Sequence, residues 1–158
     1  MAEHLTLPEA KLKLEAFCAY QERCEQEIRT KIYTWGIYGE DVDFLIGDLI
    51  TTNFLNEQRF AEAFVSGKFR IKKWGRIKIR QHLKQKNISD YSIKKGFSEI
   101  DPDAYWHTLV SLAESKNSLL RAKDSWDRRI KLQRYLHSKG YENDLIQETL
   151  TLVLGAVD

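Results

Sequence analysis

A run of basic side chains in the middle of the chain is the feature most capable of chemistry. Residues 68–86 hold nine basic residues and no acidic one, whereas the other 16 basic residues of the chain face 23 acidic ones, a net charge of −7. Such a concentration of cations attracts phosphates and carboxylates, so the segment predicts a polyanionic or acidic partner. Its basic residues are Lys68, Arg70, Lys72, Lys73, Arg76, Lys78, Arg80, Lys84 and Lys86.

Four of these cations are predicted to form a stripe along one face of a helix, because they recur at steps of three and four residues. Ile79 and Leu83 point inward on the same helix. Like charges at these spacings repel by a few tenths of a kcal/mol per pair, roughly, so a partner is expected to compensate them. The corresponding stretch of the first unit carries Glu22, Glu25 and Glu27 instead. The repeat scaffold itself therefore does not require positive charge here. The stripe consists of Lys73, Arg76, Arg80 and Lys84.

Trp74 lies inside the basic run and has two interpretations. Its ring could stack on an exposed base, or it could anchor one helix against the next, which we favour. Trp35, Trp106 and Trp126 are predicted to be ordinary core residues.

A second basic group follows later in the chain, diluted by Glu114, Asp124 and Asp127. It either extends a binding track or forms an ordinary soluble surface, and the sequence favours neither. The group consists of Arg121, Lys123, Arg128, Arg129, Lys131 and Arg134.

No set of residues predicts catalysis, a metal site or a cofactor. The four histidines are scattered, and the sequence has neither a glycine-rich phosphate loop nor a Gly-x-Ser-x-Gly turn. A helical nuclease using Asp41, Asp43 and Asp48 is the enzymatic alternative, but these residues fit a solvated helix face better. Cys18 and Cys24 are predicted to be free, small and partly buried. The histidines are His4, His82, His107 and His137.

Three stretches that align without a gap define the scaffold: residues 28–37, 79–88 and 132–141, at spacings of 51 and 53 residues. A recurrence of this length is typical of tandem helical repeats. Each stretch ends in Gly or Asn, the residues that end a helix in the left-handed conformation at low cost. The next apolar residue then contacts the one five positions earlier, as in a Schellman motif. The three stop residues are Gly36, Asn87 and Gly140.

One more helix is predicted before each repeated stretch, carrying Leu14 and Phe17, then Phe60, Ala63 and Phe64, then Trp106, Leu109 and Leu112. A capping box of Thr6 and Glu9 is predicted to begin the first of these helices, and Asp101 followed by Pro102 the last. Another helix is predicted after each stretch, with Ser89 and Asn143 as N-caps of the second and third.

We therefore expect an all-α fold: a tandem array of three three-helix repeats, about nine helices in all, elongated and able to curve. A single compact bundle with accidental similarity is the alternative. The predicted divisions are an N-terminal segment 1–10, a first unit 11–55, a second, basic unit 56–100 and a third unit 101–158.

Composition and hydropathy indicate a folded protein of the cytoplasm. Hydrophobic residues make up 42% of the chain and charged residues 30%, which is not the composition of a disordered chain. We see no signal peptide, and the longest apolar stretch, residues 150–157, is too short to span a bilayer.

The central unit resembles the RecX family of recombination regulators in residues 54–65, 74–83 and 86–89. Residues 24–37 resemble the family's opening repeat, and the resemblance covers about residues 10–155. Two positions depart from the family pattern: Arg76 stands where a proline is usual, and Cys24 where a serine is usual.

The resemblance implies an array of three-helix repeats that lies in the groove of the RecA–DNA filament. It also implies inhibition of RecA ATPase, strand-exchange and co-protease activity, and promotion of filament disassembly. We therefore expect a monomeric, non-enzymatic regulator of recombination, DNA repair and the SOS response. The alternative is a protein that binds single-stranded DNA directly, without a recombinase. The expected contact residues are Arg70, Lys72, Lys73, Arg76, Lys78, Arg80, Lys84 and Lys86, with Trp74 stacking or anchoring.

Overall fold

A computed structural model describes residues 5–156, and these residues form nine α-helices and no strand. Residues 1–4, with His4, and residues 157–158, which end the apolar stretch noted above, lie outside this description. The predicted all-α fold is confirmed. The helices are α1 (Leu7–Tyr20), α2 (Glu25–Thr34), α3 (Glu40–Thr51), α4 (Glu57–Arg70), α5 (Arg76–Gln85), α6 (Asp90–Phe97), α7 (Pro102–Leu119), α8 (Ser125–Ser138) and α9 (Asn143–Leu154).

Both prolines lie where helices begin. The Glu9 N–H donates to the Thr6 hydroxyl at 3.3 Å, and the Glu9 carboxylate accepts from the Thr6 N–H at 3.5 Å, which makes a capping box at α1. At α7 the Asp101 carboxylate accepts from the Ala104 N–H at 3.0 Å, and Pro102 is the first helical residue. These caps satisfy N–H groups that have no partner inside the helix.

Helices end at all three predicted stops, and the second and third stops also show the predicted Schellman hydrogen bond. The Ile88 N–H donates to the Leu83 carbonyl at 3.1 Å, and the Tyr141 N–H donates to the Leu136 carbonyl at 3.4 Å, the six-to-one bond of a Schellman motif. All three stop residues have the left-handed backbone that Gly and Asn tolerate. Their φ angles are 74° at Gly36, 61° at Asn87 and 94° at Gly140.

The helices that follow the stops begin as predicted in one of two cases. Ser89 is the N-cap of α6, and its hydroxyl accepts from the Ser92 N–H at 3.3 Å. The prediction of Asn143 as the N-cap of α9 is wrong by one residue, because Glu142 occupies that position and Asn143 is already helical.

The described helices enclose two hydrophobic cores. The first core is built by α1–α3 and Leu55. The second is shared by α4–α9, and Cys24 from the first unit is buried at its edge. The second and third units therefore depend on each other for burial, whereas the first unit packs on itself. The accessible surface of 9784 Å² exceeds by roughly a fifth the value of about 8200 Å² expected for a compact monomer of this mass, as an elongated array should.

Several apolar residues face differently from the prediction. In α4 Ala63 is exposed. In α7 Leu109 is fully buried as predicted, but so are Tyr105 and Ala113, whereas Trp106 and Leu112 are only partly buried. The prediction that Trp126 is a core residue is wrong, since 65% of its surface is exposed.

The junctions between units differ in chemistry. The first and second units meet through polar contacts: the Arg59 guanidinium lies 2.8 Å from the Glu22 carboxylate, and the Gln26 amide donates to the Gln85 carbonyl at 3.3 Å. The second and third units are joined by rings packed inside their common core, with the Phe69 ring of the second unit and the Tyr105 ring of the third 5.8 Å apart between centroids. No helix in the described part of the chain is long and apolar enough to cross a membrane.

Candidate functional site

The basic helix α5 is fixed at its beginning by the third unit. The Gly75 N–H donates to the Lys139 carbonyl at 2.7 Å, and the Ile77 N–H donates to the Gly140 carbonyl at 2.9 Å. The C-terminus of α8 thus supplies acceptors for the N-terminus of α5, which has no side-chain cap of its own. The approach requires glycine, because a Cβ at Gly75 would lie 2.4 Å from the Gly140 oxygen.

On α5 the inward side is confirmed: Ile79 and Leu83 are fully buried. Because each residue of a helix is rotated by 100° from the one before, residues on the two flanks of this buried line point in different directions. Arg80 and Lys84 fall on one flank, while Lys78, His82 and Lys86 fall on the other. The nine basic residues thus do not form one face, and the two flanks have different partners.

Arg76 is held in a network that joins the second and third units. Its guanidinium lies 2.8 Å from the Glu142 carboxylate and 3.8 Å from the centroid of the Tyr105 ring. The Tyr105 hydroxyl accepts from the Arg76 N–H at 3.0 Å and donates to Glu142. Burial, together with the hydrogen bond to Glu142, raises the pKa of Tyr105 far above its usual range. Arg76 is therefore engaged in holding the fold.

Arg80 and Lys84 share one carboxylate from the next helix. Their side chains lie 2.9 Å and 2.5 Å from the same oxygen of Asp90. The hydrogen bond from Lys84, followed by the charges of Lys84 and Arg80, lowers the pKa of Asp90. The repulsion expected along the predicted stripe is thus relieved inside the protein. Arg76, Arg80 and Lys84 are called the paired cations below.

Trp74 packs among basic side chains on the other flank. The Lys78 and Lys68 ammonium groups lie 4.6 Å and 5.0 Å from its ring centroid, and the His82 ring lies 4.5 Å away. Burial and then the charges of Lys78, Lys68 and Lys86 lower the pKa of His82. Because Trp74 is partly buried against the second core and covered by these groups, its packing fits an anchor rather than a free stacking platform.

The last residue of α4 and the connection from α4 to α5 display cations that have no carboxylate partner within residues 5–156. The backbone of the connection is fixed, since the Lys73 carbonyl accepts from the Tyr141 hydroxyl at 2.9 Å and the Lys72 carbonyl accepts from the Lys139 ammonium at 3.5 Å. The side chains themselves are exposed. Lys73 has a φ of 61° and precedes α5, so it does not continue the helical stripe as predicted. Arg70, Lys72 and Lys73 are called the connection cations below.

The site includes residues that the sequence did not single out. Tyr105 and Glu142 lie 29 and 66 positions from Arg76, and no local pattern links residues so far apart. Lys139 could have been found, because it directly precedes the glycine of the third helix stop. Like the connection cations, Lys86 at the C-cap of α5 has no carboxylate partner in the described range.

The second basic group, in residues 121–134, also contains both cations that are bonded within the protein and cations that are not. The Arg128 guanidinium donates to the Asn117 carbonyl at 2.9 Å, and Lys131 pairs with Asp127 at 3.0 Å. Arg129 donates to the Gly155 carbonyl at 3.4 Å. Three residues of this group are exposed and have no carboxylate within ion-pair distance among residues 5–156. They are Arg121, Lys123 and Arg134.

The acidic residues considered for a nuclease do not converge. Asp43 pairs with Arg29 at 3.2 Å, and Asp48 pairs with Lys11 at 3.3 Å. Across residues 5–156 no group of three or more His, Cys, Asp or Glu side chains is arranged to hold a metal ion. Cys18 and Cys24 are both buried and free, and burial raises the pKa of Cys24 to about 11.

Comparison with known proteins gives consistent matches. Residues 56–96 match the model of the RecX second three-helix domain, and residues 103–150 match that of the RecX third three-helix domain. The regulatory protein RecX of Prosthecochloris aestuarii is 30% identical over 138 residues, which is 87% of this chain and 89% of that protein. The regulatory protein RecX of Clostridium perfringens is 33% identical over 124 residues, but this chain spans only 58% of its length.

Solved structures with the same fold include a crystal structure of RecX from Lactobacillus salivarius. It superimposes with a TM-score of 0.82 at 20% identity and covers 93% of this chain and 96% of that one. A second structure, of a regulatory protein RecX, has a TM-score of 0.83 at 22% identity, covering 90% of this chain and 72% of that one. These two similarities establish the arrangement of helices.

Proposed function

This chain belongs to the RecX family of regulatory proteins, and we propose that it binds the RecA–DNA filament and inhibits RecA ATPase, strand-exchange and co-protease activity. As a modulator of recombination, DNA repair and the SOS response, it acts in the cytoplasm as a monomer. It carries out no chemistry of its own and needs no cofactor.

The observation that carries this proposal is the set of exposed cations held on a fixed backbone in the second unit. The exposed cations Arg70, Lys72 and Lys73 stand beside the docked beginning of α5. Lys78 on this helix and Lys86 at its end are half-buried and extend the same surface. A filament of protein on single-stranded DNA presents phosphates and carboxylates to such a surface. A preformed array loses little conformational freedom on binding, so it supports both affinity and register.

The paired cations have a different role in this proposal. Arg76, Arg80 and Lys84 already have carboxylate partners, and Arg76 also joins two units. We assign them to holding α5 in place, and we assign the partner contacts to the connection cations with Lys78 and Lys86. Trp74 packs against the ammonium groups of Lys68 and Lys78 and so anchors this surface.

DNA-stimulated ATP hydrolysis by RecA tests the proposal. Addition of this protein at well below one molecule per RecA is expected to suppress hydrolysis, because one regulator occupying a filament can affect many subunits. Recovery of activity on dilution with fresh RecA and DNA checks that inhibition is reversible. Hydrolysis that continues unchanged with the protein in excess would contradict the proposal.

A second candidate function is direct binding of single-stranded DNA without a recombinase, which the unpaired cations also favour. If about four or five phosphates are neutralised, log affinity falls with log salt at a slope of roughly −3. Fluorescence anisotropy of a labelled oligonucleotide, without RecA, measures this slope. Weak binding that hardly responds to salt would exclude this function.

A further inference from the structure

Trp126 is the most unusual side chain of the third unit. It is the second residue of α8, and 65% of its surface is exposed. No aromatic ring or cation within residues 5–156 stacks on it, in contrast to the covered ring of Trp74. Exposure of such a large apolar ring is unfavourable in water, and tryptophan on a surface is common where another molecule packs on it.

The backbone beneath this ring is fixed by a set of hydrogen bonds. The Asp124 carboxylate accepts from the Asp127 N–H at 2.7 Å, and the Asp127 carboxylate accepts from the Lys123 N–H at 3.1 Å. Lys131 binds both the Asp127 carboxylate and the Arg121 carbonyl at 3.0 Å. The segment on either side of Trp126 is therefore held at several points.

Arg128 fixes the same segment through hydrogen bonds to the end of α7 and the residue that follows it. Its guanidinium donates to the carbonyl and side-chain oxygens of Asn117, both at 2.9 Å, and to the Leu120 carbonyl at 3.1 Å. The end of α7 is thereby tied to the first turns of α8. A ring mounted on such a support is preorganised, so a ligand that packs on it does not have to order the surface first.

The charge around the ring is positive. Residues 120–134 contain six basic and two acidic residues. Both acids are engaged, Asp124 as the N-cap and Asp127 with Lys131, whose hydrogen bond lowers the pKa of Asp127. Arg121 and Lys123 lie within five residues of Trp126, and in the described range neither has a carboxylate within ion-pair distance, although the charge of Lys123 contributes to lowering the pKa of Asp127. Their charges remain available to a ligand.

We propose that Trp126, Arg121 and Lys123 form a second nucleic-acid contact, on which an unstacked base of a single strand lies against the indole ring while its flanking phosphates meet the two cations. Every base has a flat face, so such a platform accepts single strands of any sequence. This contact deepens the proposed function and rests on it only in that nucleic acid is the partner. It would extend the cationic surface of the second unit onto the third.

A protein partner is the competing occupant, since Leu119 nearby is 80% exposed. The cations favour the nucleic acid, because the centre of a protein–protein contact is usually depleted of charge. A base-specific experiment separates the two. It uses the full chain, a labelled oligo(dT) strand, and a strand of the same length in which every nucleotide is abasic and keeps only sugar and phosphate.

Trp126→Ala is expected to weaken binding to oligo(dT) about tenfold, while Trp126→Phe retains most of the affinity because a phenyl ring also stacks. On the abasic strand Trp126→Ala and the wild type should bind within about twofold of each other, because no base remains to stack. Phe44→Ala is the matched control: Phe44 is 62% exposed but directly follows Asp43 in the acidic first unit, so its removal should leave both affinities unchanged.

Thermal unfolding followed by circular dichroism checks that Trp126→Ala keeps the wild-type midpoint, as expected for an exposed ring. The proposal is overturned if Trp126→Ala binds oligo(dT) as tightly as the wild type, or if it weakens binding to both strands equally. Weakened inhibition of RecA combined with unchanged oligo(dT) affinity would assign the ring to a protein partner instead. None of these outcomes alters the ATPase test of the wild-type protein, so the two proposals can fail separately.

Discussion

The first and second units use the same helix pattern with opposite charge. Residues 11–55 hold five basic and eight acidic residues, whereas residues 56–100 hold twelve basic and four acidic ones. In the first turn of α2 the acids Glu25 and Glu27 suit the positive end of the helix dipole, and the Glu27 carboxylate accepts from the Cys24 N–H at 3.4 Å. The repeat scaffold therefore accepts either sign of charge.

The aligned positions of α5 carry Arg76 and Lys78, which the same dipole disfavours. The third unit offsets this cost with the carbonyls of Lys139 and Gly140 and with the carboxylate of Glu142. The first unit caps its own helix and has its own core, while the second is completed by the third. Contacts from the third unit thus offset the unfavourable positive charge at the beginning of α5.

Disrupting the close contact between Gly75 of the second unit and Gly140 of the third should have the largest effect on the free energy of unfolding. Gly75→Ala places a Cβ 2.4 Å from the Gly140 oxygen, and Gly75 has a negative φ, so steric contact rather than backbone strain is tested. We expect a loss of about 3 kcal/mol or more in the free energy of unfolding. Urea unfolding followed by circular dichroism measures it.

Gly47→Ala in α3 is the control from the first unit, since nothing lies within 4 Å of the added Cβ. Replacement of an exposed helical glycine by alanine should stabilise the protein by about 0.5–1 kcal/mol. Equal effects of the two substitutions would show that the units are not joined as described.

The Arg76 network should give the next largest effect. Arg76→Gln removes the ion pair with Glu142 and the contact with the Tyr105 ring, and leaves a partly buried carboxylate without its cation. We expect a destabilisation of about 2 kcal/mol, below the value for a fully buried pair because both side chains are about 30% exposed. Urea unfolding again provides the measurement.

Glu25→Gln changes the aligned position of α2 and should cost less than about 0.5 kcal/mol, since its pair with Arg29 is exposed. A cost for Arg76→Gln no greater than that of Glu25→Gln would remove the distinction between a self-capped first unit and a second unit completed by the third.

The smallest expected effect concerns pH. The pKa of Asp90 is lowered from 3.8 by Lys84 and Arg80, so its ion pairs stabilise the fold above pH 3.8 and are lost as pH falls through the lower folded-state pKa. Asp90→Asn should therefore slightly flatten the decline in stability below about pH 4. Thermal midpoints measured between pH 7 and pH 2 check this, and identical acid profiles would contradict it.

Local sequence patterns predicted the helices and their ends well. The capping box at Thr6 and the stops at Gly36, Asn87 and Gly140 each depend on residues within a few positions of one another, so their physics can be seen in the sequence. The buried line of Ile79 and Leu83 follows from helical spacing in the same way.

Contacts between distant segments could not be predicted. Glu142 pairs with Arg76 from 66 positions away, so the sequence shows no compensation for this cation. Asp90 lies only six positions after Lys84, just beyond the basic run, but it is the turn between α5 and α6 that brings its carboxylate back to Arg80 and Lys84. In α7 Trp106 was predicted to be a core residue, but the adjacent Tyr105 is the fully buried ring, because it packs against Tyr141. Nothing local distinguishes Trp126 from a core tryptophan.

The central claim is that the connection cations, with Lys78 and Lys86, bind the partner, while the paired cations hold the fold. A matched pair of variants tests this claim most directly. Lys72→Gln/Lys73→Gln and Arg80→Gln/Lys84→Gln each remove two charges from the second unit. In the RecA ATPase assay on single-stranded DNA, the first variant should need about tenfold more protein than the wild type for half-inhibition, because it loses two ionic contacts.

The second variant should stay within about twofold of the wild type, because its two cations are already committed to Asp90. Thermal melting must first show that both variants are folded. Equal loss of inhibition in the two variants, or a greater loss in Arg80→Gln/Lys84→Gln, would contradict the account.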